Sequence, residues 1–133
     1  MRAHPRFASG TILAKGVLDA LLGVVHVIVA FTFEARKIAG QGTVELQRDY
    51  IVWFLGVGLF ILFTGLVDML CYEGLKARSN LAWKISLLSA LFTLIPGLAG
   101  VALYGVSPPL VLLVTGAVGT LALALSRNGF QAR

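Results

Sequence analysis

The sequence predicts an all-α membrane protein: a four-transmembrane-helix up-down bundle with both the N- and C-termini cytoplasmic. Three observations predict it: a composition too apolar for water, four apolar runs of span length, and an uneven distribution of Lys and Arg between the connecting segments. Of 133 residues, 58% are hydrophobic and only 13% charged, with a mean hydropathy of +0.90. Soluble domains carry about 25% charged residues, so these charges are too few to cover a water-facing surface. Lipid must solvate the chain.

The apolar runs occupy residues 16–34, 50–72, 83–104 and 109–126, one domain in all. Each is close to the ~20 residues that cross ~30 Å of hydrocarbon at 1.5 Å per residue. Backbone groups in lipid must pair within their own segment, so the runs are helices; a β-barrel would need alternating ten-residue strands, which are missing. The first run follows Arg2, Arg6 and Lys15, a start that resembles the charged region of a signal peptide. It is too long for one, contains Asp19 and His26, and ends Phe31-Thr32-Phe33-Glu34 without a small-residue cleavage site. It reads as a retained first span.

Between the runs lie polar connections. Residues 35–49 carry Arg36, Lys37, Gly40, Gly42, Glu45 and Arg48, with Thr43 placed to cap an extension of the second helix. Residues 73–82 carry Lys76, Arg78, Ser79 and Asn80. The third connection is short. Ser107 suits an N-cap and Pro108 the first helical position, so spans three and four form a tight hairpin. Arg2, Arg6, Lys15, Lys76, Arg78, Lys84, Arg127 and Arg133 fall on one side; Arg36, Lys37 and Arg48 fall on the other, beside Glu34, Glu45 and Asp49. That asymmetry puts both ends in the cytoplasm. Tyr50, Trp53 and Tyr104 then mark the outer interface, and Tyr72 and Trp83 the inner one.

The net charge of +5 is no nucleic-acid signal, because the basic residues form short clusters and not a stripe with interleaved aromatics. Such clusters face anionic lipid headgroups instead, so membrane lipids are expected partners. A single cysteine, Cys71, excludes an internal disulfide and a Cys-x-x-Cys redox centre.

In lipid the informative helix face is the small or polar one, because apolar side chains suit acyl chains as well as each other. Gly16, Asp19, Gly23, His26 and Ala30 share one face of the first helix. Thr64, Gly65 and Asp68 mark the second. Ser86, Ser89, Thr93, Gly97, Gly100 and Tyr104 line the third, and Gly116, Gly119 and Ser126 the fourth. Pro96 frees the carbonyl of Phe92 and is expected to kink the third helix.

Asp19, His26 and Asp68 are the ionisable residues inside the spans. An Asp at mid-bilayer costs ~2.5–3.5 kcal/mol, less near an interface, so each needs a partner. Asp19 and Asp68 lie at similar depth, each in a Gly-x-x-Asp segment (Gly16 to Asp19, Gly65 to Asp68). Lys15 and Lys84 are candidate partners of both, and Thr64 of Asp68. Ser89 and Thr93 are candidates for His26. These eight residues form either a polar network that fixes helix register or an acid/base site. No metal site is expected, since one histidine with distant carboxylates is a poor ligand set, and no cofactor. A transmembrane haem would need facing histidines.

On Lys15-Gly16-Val17-Leu18-Asp19, Leu22-Gly23-Val24-Val25-His26, Phe63-Thr64-Gly65-Leu66-Val67-Asp68 and the Ser107-Pro108-Pro109 hairpin, the chain resembles small bacterial four-span membrane protein families of unknown function. The resemblance implies a multi-pass bundle in a bacterial inner (plasma) membrane and no activity. Small multidrug transporters match worse, because they carry a Glu deep in the first helix where this chain has Asp19 near the rim. Membrane glutathione and eicosanoid enzymes carry an Arg/Asn/Glu motif in the second helix, which residues 50–72 lack.

With no complete catalytic constellation, the leading expectation is an accessory or scaffolding subunit that associates with another membrane protein or with itself, as a homo- or hetero-oligomer. A second reading is a membrane-embedded enzyme doing acid/base chemistry on a lipophilic small molecule with Asp19, Asp68 and His26. A third is a dimeric proton-coupled small transporter using the same carboxylates.

Overall fold

The computed structural model describes residues 5–104 and 109–130. The described residues form four long helices and short helical turns, and no strand. Helix α1 covers Pro5–Val29 and runs through a π-helical turn, Ala30–Glu34, into one further α-helical turn, Ala35–Ile38. Helices α2 (Val44–Lys76), α3 (Asn80–Tyr104) and α4 (Pro109–Ser126) follow. Each is long and apolar enough to cross a membrane.

The helices begin and end on local signals. Thr43 holds an extended conformation, and its Oγ1 accepts from the Leu46 N–H at 3.3 Å. This satisfies one of the donors a helix start leaves unpaired, and Glu45 lies in the first turn where the helix dipole favours an acid. The cap lets α2 start six residues before the apolar run. Ser79 does the same for α3, accepting from the Ala82 N–H at 3.3 Å. Between them Arg78 turns the chain with φ of 58°. Helix α3 stays helical through Pro96. The expected Ser107–Pro108 cap, Arg2 and Arg133 lie outside the described residues.

Each helix buries most of the stripe of small and polar residues expected of it, with His26 and Gly100 only half-buried. Gly16, Asp19, Gly23 and Ala30 are buried on α1, and Thr64, Gly65 and Asp68 on α2. Ser86, Ser89, Thr93 and Gly97 are buried on α3, and Gly116, Gly119 and Ser126 on α4. Large apolar side chains point outward instead: Leu70 is 83% exposed, Leu103 74% and Phe33 71%. A soluble domain does not expose apolar surface over all its helices.

Packing is closest within two hairpins, α1 with α2 and α3 with α4, while α2–α3 and α1–α4 close the ring more lightly. Glycines explain the closeness. A Cβ on Gly65 would stand 2.6 Å from the Gly16 carbonyl oxygen, and one on Gly16 would stand 2.9 Å from that of Gly65. Gly23 meets the Leu62 backbone in the same way. In the other hairpin Gly97 lies on the backbone of Leu113, and Gly116 on that of Leu94. Backbone lies directly on backbone at these points, which only residues without a side chain permit.

Trp83 is turned into the bundle. It is 9% exposed, and its Nε1–H donates to the Leu123 carbonyl at 3.0 Å. The indole has a donor that needs an acceptor once buried, and the α4 carbonyl supplies one. Trp83 thereby closes the space between the start of α3 and the end of α4, with the Arg127 guanidinium 5.9 Å from its ring centre.

Gly65→Ala and Gly116→Ala are therefore expected to destabilise the bundle by ~1–3 kcal/mol, the cost of overpacking a close contact. Gly56→Ala should be neutral or stabilising, because a Cβ there meets nothing within 4 Å and Ala is the better helix former. Unfolding curves in mixed detergent micelles compare the three.

Candidate functional site

The Gly16–Gly65 crossing sets α1 and α2 so close that the two short aspartates reach one point. Asp19 and Asp68 each follow their glycine by three residues, on the same helix face. Lys15, one turn before Asp19, fills the space between them. Its Nζ lies 2.7 Å from Asp19 Oδ2 and 2.7 Å from Asp68 Oδ2. The third ammonium hydrogen goes to Thr93 Oγ1 at 3.1 Å. All three donors of the lysine are thus used.

The network continues across α3. Thr93 donates to the Ser89 carbonyl at 3.0 Å, and Ser89 Oγ donates to the Thr64 carbonyl at 3.3 Å. Helix α4 contributes Gly119, where a Cβ would come within 2.9 Å of the Lys15 Cδ. The lysine side chain therefore meets groups of all four helices. Its side chain is 2% exposed and both aspartates are fully buried.

Burial on this scale makes charge balance decisive. Taking ions from water costs several kcal/mol each, recovered only through close pairing and hydrogen bonds. The bridge supplies these to one oxygen of each carboxylate. The other oxygens, Asp19 Oδ1 and Asp68 Oδ1, accept no hydrogen bond from any described residue. One ammonium faces two carboxylates.

Of the residues singled out from the sequence, Lys15, Asp19, Asp68, Thr93 and Ser89 come together, and three expected pairings change. Lys84 is exposed on α3 and takes no part in the bridge, because one lysine already occupies the space between the acids. The Thr64 hydroxyl donates to its own helix, to the Ile61 carbonyl at 2.9 Å, and not to Asp68. A hydroxyl one turn away on the same helix finds its own backbone nearer.

His26 does not join Ser89 or Thr93. Its ring stacks on Phe54 of α2, with centroids 3.9 Å apart and planes 10° from parallel, and its Nε2 is buried without a hydrogen-bond partner. Seven residues beyond Asp19 on α1, it stands about 10 Å from the bridge along the helix. The π-helical turn follows it, and at that turn's last residue Tyr50 donates to Glu34 Oε2 at 2.9 Å, joining α2 to the end of the first span. Phe54 carries no signal in the sequence for this role, since it is one apolar residue among many on an apolar helix.

A cleft of about 570 Å³ opens between α2 and α3 in the half beyond the bridge, lined by Trp53, Gly56, Phe60, Phe92 and Pro96, with Thr64 and Thr93 at its floor. Thr93 touches both the cleft and Lys15, whereas the aspartates are closed off from it. The arrangement can hold three helices in register. It offers no carboxylate to a molecule arriving from outside.

Lys15→Met is expected to cost ~3–5 kcal/mol, because it strands two carboxylates in the core. Replacing the whole bridge (Lys15→Met with Asp19→Leu and Asp68→Leu) should recover most of that loss. Denaturant titrations of the two variants separate the cost of unpaired charge from the worth of the bridge. No protein-family model, curated protein or solved structure matches the chain. Its described residues form four long helices, each apolar enough to cross a membrane.

Proposed function

We propose that the protein is a noncatalytic accessory or scaffolding subunit of a bacterial inner membrane, associating there with another membrane protein or with a second copy. The observation that carries this reading is the closure of the bridge. Both acids that a proton-transfer enzyme or a proton-coupled carrier would use are held at 2.7 Å by one lysine and have no exposed surface. His26, the remaining ionisable group, is spent on a ring stack a long way up α1. A general acid or base must reach the proton it moves, and neither aspartate meets the surface.

What the bundle presents outward is apolar. Its small-residue stripes are used internally, so association would use the outer surface, where Gly56, Phe60 and Trp53 border the α2–α3 cleft. The orientation that fits the Lys and Arg distribution keeps both ends in the cytoplasm.

Photo-crosslinking in the native membrane tests the assignment. A discrete crosslinked species larger than the 14.2 kDa protomer is expected, and it should persist in Asp19→Asn and Asp68→Asn variants that still fold. A strictly monomeric chain in mild detergent, with a cellular phenotype lost on either Asp→Asn change, would sink it. A reporter fused after Arg133 should be active only in the cytoplasm.

A further inference from the structure

The bridge does not balance its own charge. Lys15 brings one positive charge and the two aspartates bring two negative ones, with Nζ 2.7 Å from Oδ2 of each acid. Neither carboxyl group has any exposed surface. We propose that Asp19 and Asp68 together hold one proton, so that the bridge is a neutral cluster of an ammonium, a carboxylate and a carboxylic acid.

The charges, the burial and the hydrogen bonds all point the same way. An acid left with unbalanced charge in a core shut off from water neutralises, and two carboxylates that share a site resist ionising together. Helix α1 brings Lys15 alone to offset them. Helix α2 adds the Cys71 thiol, near enough to sense the charge of Asp68, and the Thr64 hydroxyl, which donates to its own helix. Helix α3 adds the Ser89 and Thr93 hydroxyls, both donating to backbone carbonyls, while Lys84 is exposed. Helix α4 adds Gly119 against the lysine stem. Among the described residues no second cation reaches the pair.

The hydrogen bonds place the proton. Both Oδ2 atoms already accept from the ammonium. Both Oδ1 atoms are buried and accept from no described residue. A proton on one Oδ1 turns that acceptor into a hydroxyl and removes the surplus charge in the same step. Loss of the lysine's proton would instead double the surplus and weaken the contacts on both Oδ2 atoms, so Lys15 stays charged. Because both acids contact one Nζ, the proton belongs to the pair and not to either residue. Closed off from the α2–α3 cleft, it is a structural proton, bound as the bundle forms and released when the bundle opens.

Infrared spectra of the full chain in detergent micelles at neutral pH, with and without isotope label in the aspartate carboxyls, count the neutral acids. A carbonyl stretch of a protonated carboxylic acid is expected, moved by the label, with the intensity of one acid per chain. It should vanish in Asp19→Asn and equally in Asp68→Asn, because the acid that remains then pairs as a carboxylate with Lys15. No such band in the wild-type chain would overturn the proposal, whether a bound metal cation or a surplus charge stood in the proton's place. So would the intensity of two acids, which would make Lys15 neutral, or a band that survives in either single variant.

A second measurement needs neither single variant to fold. The folded chain binds one proton more than the unfolded chain, so stability falls as pH rises. From pH ~7 upward, above an ordinary histidine at ~6.5, the wild-type unfolding constant should rise by up to about tenfold per pH unit. The fully apolar bridge (Lys15→Met with Asp19→Leu and Asp68→Leu) should lack that rise. A wild-type unfolding constant that does not change with pH, or an equal slope in the two chains, would also overturn the shared proton.

Discussion

The fold turns on one buried ammonium group. Lys15 holds two carboxylates from two helices and a hydroxyl from a third, and its stem lies against a glycine of the fourth. In surroundings of low dielectric an ion without a partner is prohibitive, so any slide of α1 against α2 that parts these groups meets a steep cost. Apolar packing alone sets no such limit in lipid, because a leucine that loses a helix neighbour gains an acyl chain of the same polarity. The bridge therefore defines register, while close backbone packing supplies most of the cohesion.

The glycines make the bridge feasible. Aspartate is short, and two of them can meet one lysine only where α1 and α2 nearly touch. The Gly16–Gly65 contact provides that approach, three residues from each acid. The two Gly-x-x-Asp segments are thus a single device split between antiparallel helices, with the glycine setting the distance and the acid using it. The α3–α4 hairpin has the same close packing through Gly97 and Gly116 without a charge at the contact. It contributes Thr93 and Ser89 as a neutral polar face against which the lysine completes its hydrogen bonds.

These contacts divide the molecule by chemistry. The core near the bridge is polar and fully paired on the lysine, the α2–α3 cleft above it is apolar, and the two ends carry the remaining charges. At one end Tyr50 and Glu34 tie α1 to α2 beside a π-helical turn. At the other, Arg6 and Lys76 border an open hollow. The two carboxylates are inward and held by the lysine, so interactions with other molecules fall to the surface and the charged rims.

Composition and spacing by themselves determined much: four helices, their buried stripes, the Thr43 cap, and Lys15 among the candidate partners of Asp19 and Asp68. These are legible because they depend on local chemistry, on helical periodicity and on the high cost of burying an unpaired ion. Tertiary structure alone decided which of two lysines closes the bridge, why Thr64 stays out of it, and that His26 stacks on Phe54. It also decided that Trp83 turns inward to a carbonyl of α4, and that Arg6 and Lys76, seventy residues apart in the chain, border one hollow. Each depends on how deeply and at what angle two helices cross. In an apolar chain many crossings bury the same side chains at nearly the same cost, so residue order does not choose among them. The meeting of particular backbones at glycine does.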